Sequence, residues 1–445
     1  MGIFGKLFKR SYDAATPQRA RFNGGANRYA THAAETSAAR GTLQSRARHA
    51  VENQPIAHAI IDTWETSAVG AGIYPTSQHP DSEIRAALDA YFATWARRAD
   101  LVGRTDFYGI QAAAVRAERT DGEAFFLWHG DQLQQVPAEQ IAMDLSTDLG
   151  GGRMIVNGVE LDHVGRPVAL HIHPARPSDL FATYAPPVRV PIEDCLHVFK
   201  PAGPGAVRGL SSLASVLLRL SELDGLEDAL QVNVKVSALL SVILTNESDP
   251  GDGTDPLSDG QGLAPGAIVK LPGGWKASTT APQQAQQVGD FLKHVTQSIA
   301  VGAGVPHFAA TGDVSQANYS SLRAALVTFR QRVEQYQFHT LAPQLLDPVW
   351  RRIAAAAVLS GAVDAAIDDD LFSVEWIPPA QPWVDPMKDA QAQILLMDNG
   401  LSSRRQVVAG LGYSIEKLDA EIAADREREA ALGHNTSEKS NAADS

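Results

Sequence analysis

One block of short β-rich pieces, confined to residues 122–201, interrupts a chain that is otherwise periodic as helix. The pieces read GEAFFLWHG, LQQVPAEQIAMDL, RMIVNGVELD, RPVALHIHP and CLHVFKP, with turn residues between them. Val156-Asn157-Gly158-Val159 carries the Asn-Gly signature of a two-residue hairpin, and DHVGRP marks a second turn. Strands gathered in one stretch, with helices before and after, place the chain in the α+β class.

The helical periods fall on both sides of that block. Residues 1–40 read as irregular. Helices are expected at about 43–53 and 55–68, the second opening on Pro55 and turning Ile56, Ile60 and Trp64 to one side. VGAGIYP breaks it. A helix near 81–97 carries Leu88, Tyr91, Phe92 and Trp95, and another runs from Asp106 to Arg119. After the block, a long helix over 210–234 shows a leucine-rich side through Leu213, Val216, Leu217, Leu220, Leu223, Leu226 and Leu230. It would extend on the order of 38 Å. ALLSVILT, 238–245, reads as a strand, and 248–262 as a mobile Gly/Asp/Pro-rich acidic loop. A helix near 284–301 (Val288, Phe291, Val295, Ile299) leads through the turn-rich segment 302–317 into NYSSLRAALVTFRQRVEQYQ. That last segment repeats apolar residues at Leu322, Leu326, Phe329, Val333 and Tyr336, with Asn318 or Ser320 placed to cap it. Further helices are expected over 342–360, 386–398 and 402–429, with an extended stretch FSVEWIPPAQPWVDP and a disordered tail from Gly433.

Charge is spread unevenly. The chain carries −13, yet residues 1–48 hold nine Lys/Arg against Asp13 and Glu35, a local +7 that leaves −20 on the rest. Such an arm, with Lys6, Lys9, Arg10, Arg19 and Arg21 at its head, is a candidate contact for nucleic acid or an acidic partner. The acidic remainder argues against a tight duplex-binding surface, because duplex affinity comes from cations neutralising phosphates. No apolar run reaches the roughly eighteen residues of a membrane span. A single cysteine, Cys195, excludes an internal disulfide and every multi-cysteine metal site.

No constellation forces a reaction. His171 and His173 alternate on a strand and would share one face, a spacing that can bind a metal, but no third ligand is marked. Gly150-Gly151-Gly152-Arg153 precedes a strand rather than a helix, which suits a turn and not a phosphate cradle. Gly70-Ala71-Gly72 lacks the third glycine of a dinucleotide fingerprint. Asp62, Glu65, Glu222, Asp224, Glu227 and Asp228 read as solvated charges on polar helix faces.

Six collinear segments resemble one family. SRARHAVENQPIAHAIIDTWETSAVGAGIYP, DGEAFFLW with LQQVPAEQI, NGVELDHVGRPVALHI, HVFKPAGPGAVRGLSSLASVLLRLSELDGLEDA, VTQSIAVGAGVPHFAATGDVSQANYSSLRAAL and WVDPMKDAQA are similar, in this order, to segments of the phage lambda family of portal proteins. Together they span about residues 43–410.

The resemblance implies a portal fold, mainly helical with a β-rich portion and long stem helices. It implies a structural role rather than an enzymatic one, with no cofactor and no metal. The expected assembly is a dodecameric ring at a single capsid vertex of a virion, built in the host cytoplasm. Duplex DNA would pass through it without sequence specificity, driven by the large subunit of a terminase. Capsid and head-completion or tail proteins would attach to it. On this reading 1–42 is a flexible basic arm, 43–105 the first part of the wing, and 106–120 the first stem helix. Residues 121–206 form a β-rich clip, 207–236 the second stem helix, and 237–301 the second wing part. A tunnel loop at 302–317, the crown helices at 318–432 and the tail at 433–445 complete the assignment. His307, Gln316 and Asn318 would face DNA. The competing expectation is a metal-dependent hydrolase using His171 and His173.

Overall fold

The computed structural model describes residues 32–179, 185–239, 243–246, 275–278, 285–315, 318–380 and 385–432. The chain divides into two compact units, residues 1–217 with 300–445, and residues 218–299.

The first unit opens with α1 (His32–Asn53) and α2 (Pro55–Ala68). Helix α1 therefore starts eleven residues inside the stretch read as a flexible arm. Its Ala39, Leu43, Ala47, Ala50 and Val51 are buried. Pro55 supplies the pre-set φ of a first helical turn, and α2 buries Ala57, Ile60, Ile61, Trp64 and Ala68. Strand β1 (Tyr74–Ser77) follows; it pairs antiparallel with the last strand of the chain, with Tyr74 opposite Ile377. Helix α3 (Ser82–Ala96) is capped by the Asp81 carboxylate, which accepts from the backbone of Glu83 and Ile84. Asp106 caps α4 (Phe107–Asp121) in the same way, and Gly122 ends it at φ +95°. Phe92, Trp95, Phe107, Trp350 and Trp376 form one aromatic cluster, with neighbouring centroids 5.1–6.3 Å apart.

The β block makes two sheets. In the first, β2 (Glu123–His129) is flanked by β3 (Gln132–Val136) and by β9 (Cys195–Phe199). The second is a five-stranded antiparallel meander of β4 (Thr147–Gly150), β5 (Arg153–Val156), β6 (Val159–Leu161), β7 (Pro167–Ile172) and β8 (Val188–Pro191). Asn157 and Gly158 sit at φ +51° and +79°, the paired left-handed turn that the Asn-Gly sequence favours. Phe125, Val136, Val159, Leu170, Ile172 and Cys195 share one core between the sheets.

The second unit contains α5 (Leu217–Leu239), β10 (Ile243–Asn246), β11 (Trp275–Ser278) and α6 (Ala285–Ala303), whose last turn returns to the first unit. β10 and β11 pair antiparallel, and Arg219 donates to Ser298 across the two helices. The expected strand at 238–245 is thus helix to Leu239 and strand only from Ile243. Helix α5 begins at Leu217, not near 210. The cause lies upstream: Ser212 Oγ and its backbone N–H both bond the Arg119 carbonyl at 2.8 and 3.0 Å, holding 209–212 against the end of α4. The leucine side is buried only as far as Leu223; Leu226 and Leu230 are half-buried and Val232 is exposed. On α6, Ile299 is buried whereas Phe291 is 55% exposed.

The chain continues through α7 (His307–Thr311) and α8 (Tyr319–Tyr336). A π-helical stretch, Gln337–Leu346, contains Pro343, which lacks the N–H an α-helical ladder requires. It runs directly into α9 (Asp347–Leu359), followed by α10 (Asp369–Phe372) and β12 (Val374–Ile377). Helices α11 (Pro386–Asp398), α12 (Arg404–Gly410) and α13 (Ile415–Ala431) close the described chain. The acidic loop expected at 248–262 and the tail from 433 lie outside the described residues. No helix among the described residues is long and apolar enough to cross a membrane.

Candidate functional site

The segment between α6 and α8 is built from helix-terminus chemistry. Gly304, at φ +78°, stops α6. Its N–H bonds the Val301 carbonyl at 3.1 Å, and the Val305 N–H reaches back to the Ala300 carbonyl at 3.0 Å. This closure leaves the Ala303 carbonyl to be satisfied from outside, and the buried indole N–H of Trp64 donates to it at 3.1 Å. Residues 307–311, expected as loop, form the short helix α7, closed by Gly312 at φ +71°. Thr63 Oγ1 donates chiefly to the Ala59 carbonyl of its own helix at 2.7 Å and lies 3.3 Å from the Ala309 carbonyl. The return is fixed at Asn318. Its Oδ1 accepts from the Ser321 N–H at 2.9 Å, and the Ser321 hydroxyl accepts from the Asn318 N–H at 3.1 Å.

Helix α8 is held at its far end. Phe329, Val333 and Tyr336 are buried, while Leu322 and Leu326, on the same stripe, are half-buried. Phe329 and Tyr336 both meet Trp64 edge-on, at centroid distances of 5.4 and 6.0 Å. The Arg119 guanidinium lies in the wedge between the Trp64 and Tyr336 rings, 3.8 and 4.0 Å from their centroids. Glu118 pairs with Arg119 at 3.2 Å. Burial pushes the Glu118 carboxyl above its ordinary value despite Arg119, and burial followed by the Glu118 charge pushes the Tyr336 phenol up.

Of the residues expected to face DNA, His307 is half-buried at the first turn of α7, and Asn318 is exposed with its side chain engaged as a cap. Gln316 and the arm residues Lys6, Lys9, Arg10, Arg19 and Arg21 lie outside the described residues. Two arginines counted with the arm have internal roles. Arg48 makes a bidentate pair with Asp121 at 2.7 and 2.8 Å and also reaches Glu139. Arg40, only 1% exposed, enters a buried charge cluster.

At the centre of that cluster is Glu123, fully buried at the start of β2. Arg208 Nε donates to its two oxygens at 2.9 and 3.0 Å, and Arg40 Nη2 lies 2.5 Å from Oε1. The Gly209 N–H donates to Oε2 at 3.1 Å, and His197 Nε2 lies 3.0 Å away. The His197 ring stacks between Phe125 and Phe199, at 4.2 and 4.4 Å. Burial alone would raise the Glu123 carboxyl, but Arg208 and then Arg40 outweigh it and hold it well below the usual range. Burial pulls the His197 imidazole down, so it is neutral at pH 7. Sequence reading passed over Glu123, Arg40, Arg208, Glu118 and Arg119. One signal was present: strand parity puts Glu123 on the Phe125 side of β2, which faces the core.

His171 and His173 do not form a common site. His171 faces Glu160 at 3.3 Å, a carboxylate already held by Arg189 at 2.7 Å. His173 approaches the Ala185 carbonyl at 3.5 Å and Asp144 at 3.9 Å. Among the described residues no group of three His, Cys, Asp or Glu could hold a metal ion. Cys195 is buried, and that burial pushes its thiol up to about 12.

A family model for phage portal proteins of the lambda family matches residues 19–337. The chain is 24% identical over 425 residues to a probable portal protein of Halomonas phage phiHAP-1, covering 88% of this chain and 81% of that relative. Similar solved structures include a chain of the neck of a native gene transfer agent particle computed with C12 symmetry. It shows 17% identity and a TM-score of 0.49, over 82% of this chain and 92% of that one. A chain of the neck of the empty particle computed with C6 symmetry shows 17% identity and a TM-score of 0.48, over 83% and 92%.

Proposed function

The chain belongs to the lambda family of phage portal proteins, and from that premise we propose that it closes into a dodecameric ring at one capsid vertex of a virion. Duplex DNA passes through the ring, driven inward by a terminase large subunit, and head-completion or tail proteins attach to it. The family match over residues 19–337 is the observation that carries this reading. The family is structural, and this chain needs no cofactor for the task. The separate engagements of His171 and His173 give the hydrolase reading no support.

A ring closes through head-to-tail contacts, so each copy needs two unlike lateral faces. Helices α5 and α6 supply suitable material, with Val232 57% and Phe291 55% exposed. They also fit the stem better than α4 does. Helix α4 buries nine of its fifteen residues inside the first unit, which leaves little of it for a neighbour. Residues 218–299 cluster as a unit of their own, with a strand pair between two helices. We therefore assign the stem to α5 and α6 and the clip to β10 and β11 between them, with the β block in the wing, in place of a first stem helix at 106–120 and a clip at 121–206.

The segment 302–317, which leads from the end of α6 to α8, is then the tunnel loop, and His307, Gln316 and Asn318 are the DNA-facing groups. Polar, weakly charged side chains let the duplex slide, whereas arginines would add phosphate affinity at every step. The test is Gln316→Arg with Asn318→Arg. Rings should still form by negative stain, and packaging should slow or arrest. Wild-type packaging rates in intact rings would remove these residues from the bore.

A further inference from the structure

One side chain ties the end of α6 and the far half of α8 to the same helix. Trp64 stands on α2, a helix packed on α4 well inside the first unit. Its N–H holds the Ala303 carbonyl, the last acceptor of the outgoing helix. Its ring edge meets Phe329 and Tyr336 of the returning helix. Its face carries Arg119, which also stacks on Tyr336. The residue before it, Thr63, brings its hydroxyl within 3.3 Å of the Ala309 carbonyl of α7 while bonding Ala59 at 2.7 Å. Loss of the indole N–H alone would strand a buried carbonyl and leave the apolar contacts nearly intact.

We propose that Trp64 is the positioning residue of the loop: it clamps the end of α6, where the loop begins, and the far half of α8 to α2. That the loop faces DNA rests on the reading given above; the clamp itself does not. A loop whose first foot is fixed starts at a constant radius in every subunit of a ring. A loop with that foot free would wander along the bore.

Trp64→Phe separates the two claims. In assembled rings of the full chain, amide exchange over 300–312 should speed up about tenfold, the equivalent of one lost buried hydrogen bond. Exchange over β2 and β9 should not change. Thr63→Val should give a smaller increase centred on 309–312, and it serves if the Phe variant fails to assemble. Faster exchange with slower packaging supports both the clamp and the tunnel reading. Faster exchange with unchanged packaging supports the clamp and overturns the tunnel reading. Unchanged exchange over 300–312 in both variants overturns the clamp.

Discussion

Glu123→Gln isolates the contribution of a single buried charge. The carboxylate is fully buried and receives Arg208, Arg40, the Gly209 N–H and His197 within 3.1 Å. Glutamine keeps the volume and one oxygen. Its amide, however, turns donors toward guanidinium donors and leaves two arginines buried with no counter-charge. The carbonyls of Asn157 and Gly209, which accept from Arg208 at 2.5 Å and Arg40 at 3.1 Å, are too weakly polar to replace it. Removing one partner of a buried ionic group costs about 3–5 kcal/mol. Against a typical domain stability of about 5–15 kcal/mol this is a large fraction. A drop in melting temperature on the order of 10 °C is expected, read by tryptophan fluorescence on unassembled subunits. The pH dependence follows from the depressed carboxyl: its stabilisation is complete above the ordinary value of 4.5 and is lost as pH falls through the lower folded value. The deficit of the variant should therefore stay constant above about pH 5 and close in stronger acid. The triple replacement Glu123→Leu, Arg40→Met, Arg208→Met should recover most of the loss, since no charge is then left unpaired. If Glu123→Gln melts within about 2 °C of the parent, the cluster contributes no net charge pairing and this reasoning fails.

Three further substitutions test the backbone and a desolvated acid. Gly122→Ala places a Cβ within 2.5 Å of the Leu210 Cα and N at a residue with φ +95°. It should cost more than about 3 kcal/mol and abolish soluble rings, whereas Gly41→Ala, mid-helix with open space around it, should stabilise by about 0.5–1 kcal/mol; melting curves decide both. Asp89 accepts from the Ser77 N–H at 2.9 Å, and burial pushes its carboxyl up to about 6. Such an acid stabilises the fold below its unfolded value and loses that contribution as pH rises through about 6. Asp89→Asn keeps the acceptor and should be more stable than the parent by about 1–2 kcal/mol at pH 8, with no difference below pH 4.

Element ends were legible where one residue dictates them. Pro55 opens α2, Asp81 and Asp106 cap α3 and α4, Asn318 caps α8, and Asp385 with Pro386 starts α11. The Asn157-Gly158 hairpin was legible for the same reason, because both φ angles are local. Pairings between distant segments were not. Nothing in YPTS announces that it meets VEWI at the other end of the chain. The start of α5 was misplaced because a tertiary contact sets it: the Arg119 carbonyl captures Ser212, and the leucine period cannot register that.

The site was harder to read because its determinants are polar groups whose partners lie far along the chain. A charge count treats each cation alike, and on that count Arg40 and Arg48 belonged to a solvated arm. In the fold they face Glu123, Asp121 and Glu139, so the basic character of the N-terminal region rests on the residues before His32 and on exposed Arg46. Trp64 was legible only as one member of an apolar stripe. Its N–H matters because α6 ends at Gly304 and leaves a carbonyl over, and that demand arises only when α2 and α6 meet. The apolar pattern built the scaffold. The few buried donors and acceptors then decide which helix end sits against which, and among the described residues two such places are the end of α6 and the start of β2. Substitutions at the end of α6 should accordingly change function at lower cost to assembly than equal losses at the start of β2 or in the aromatic core around Phe92 and Trp350.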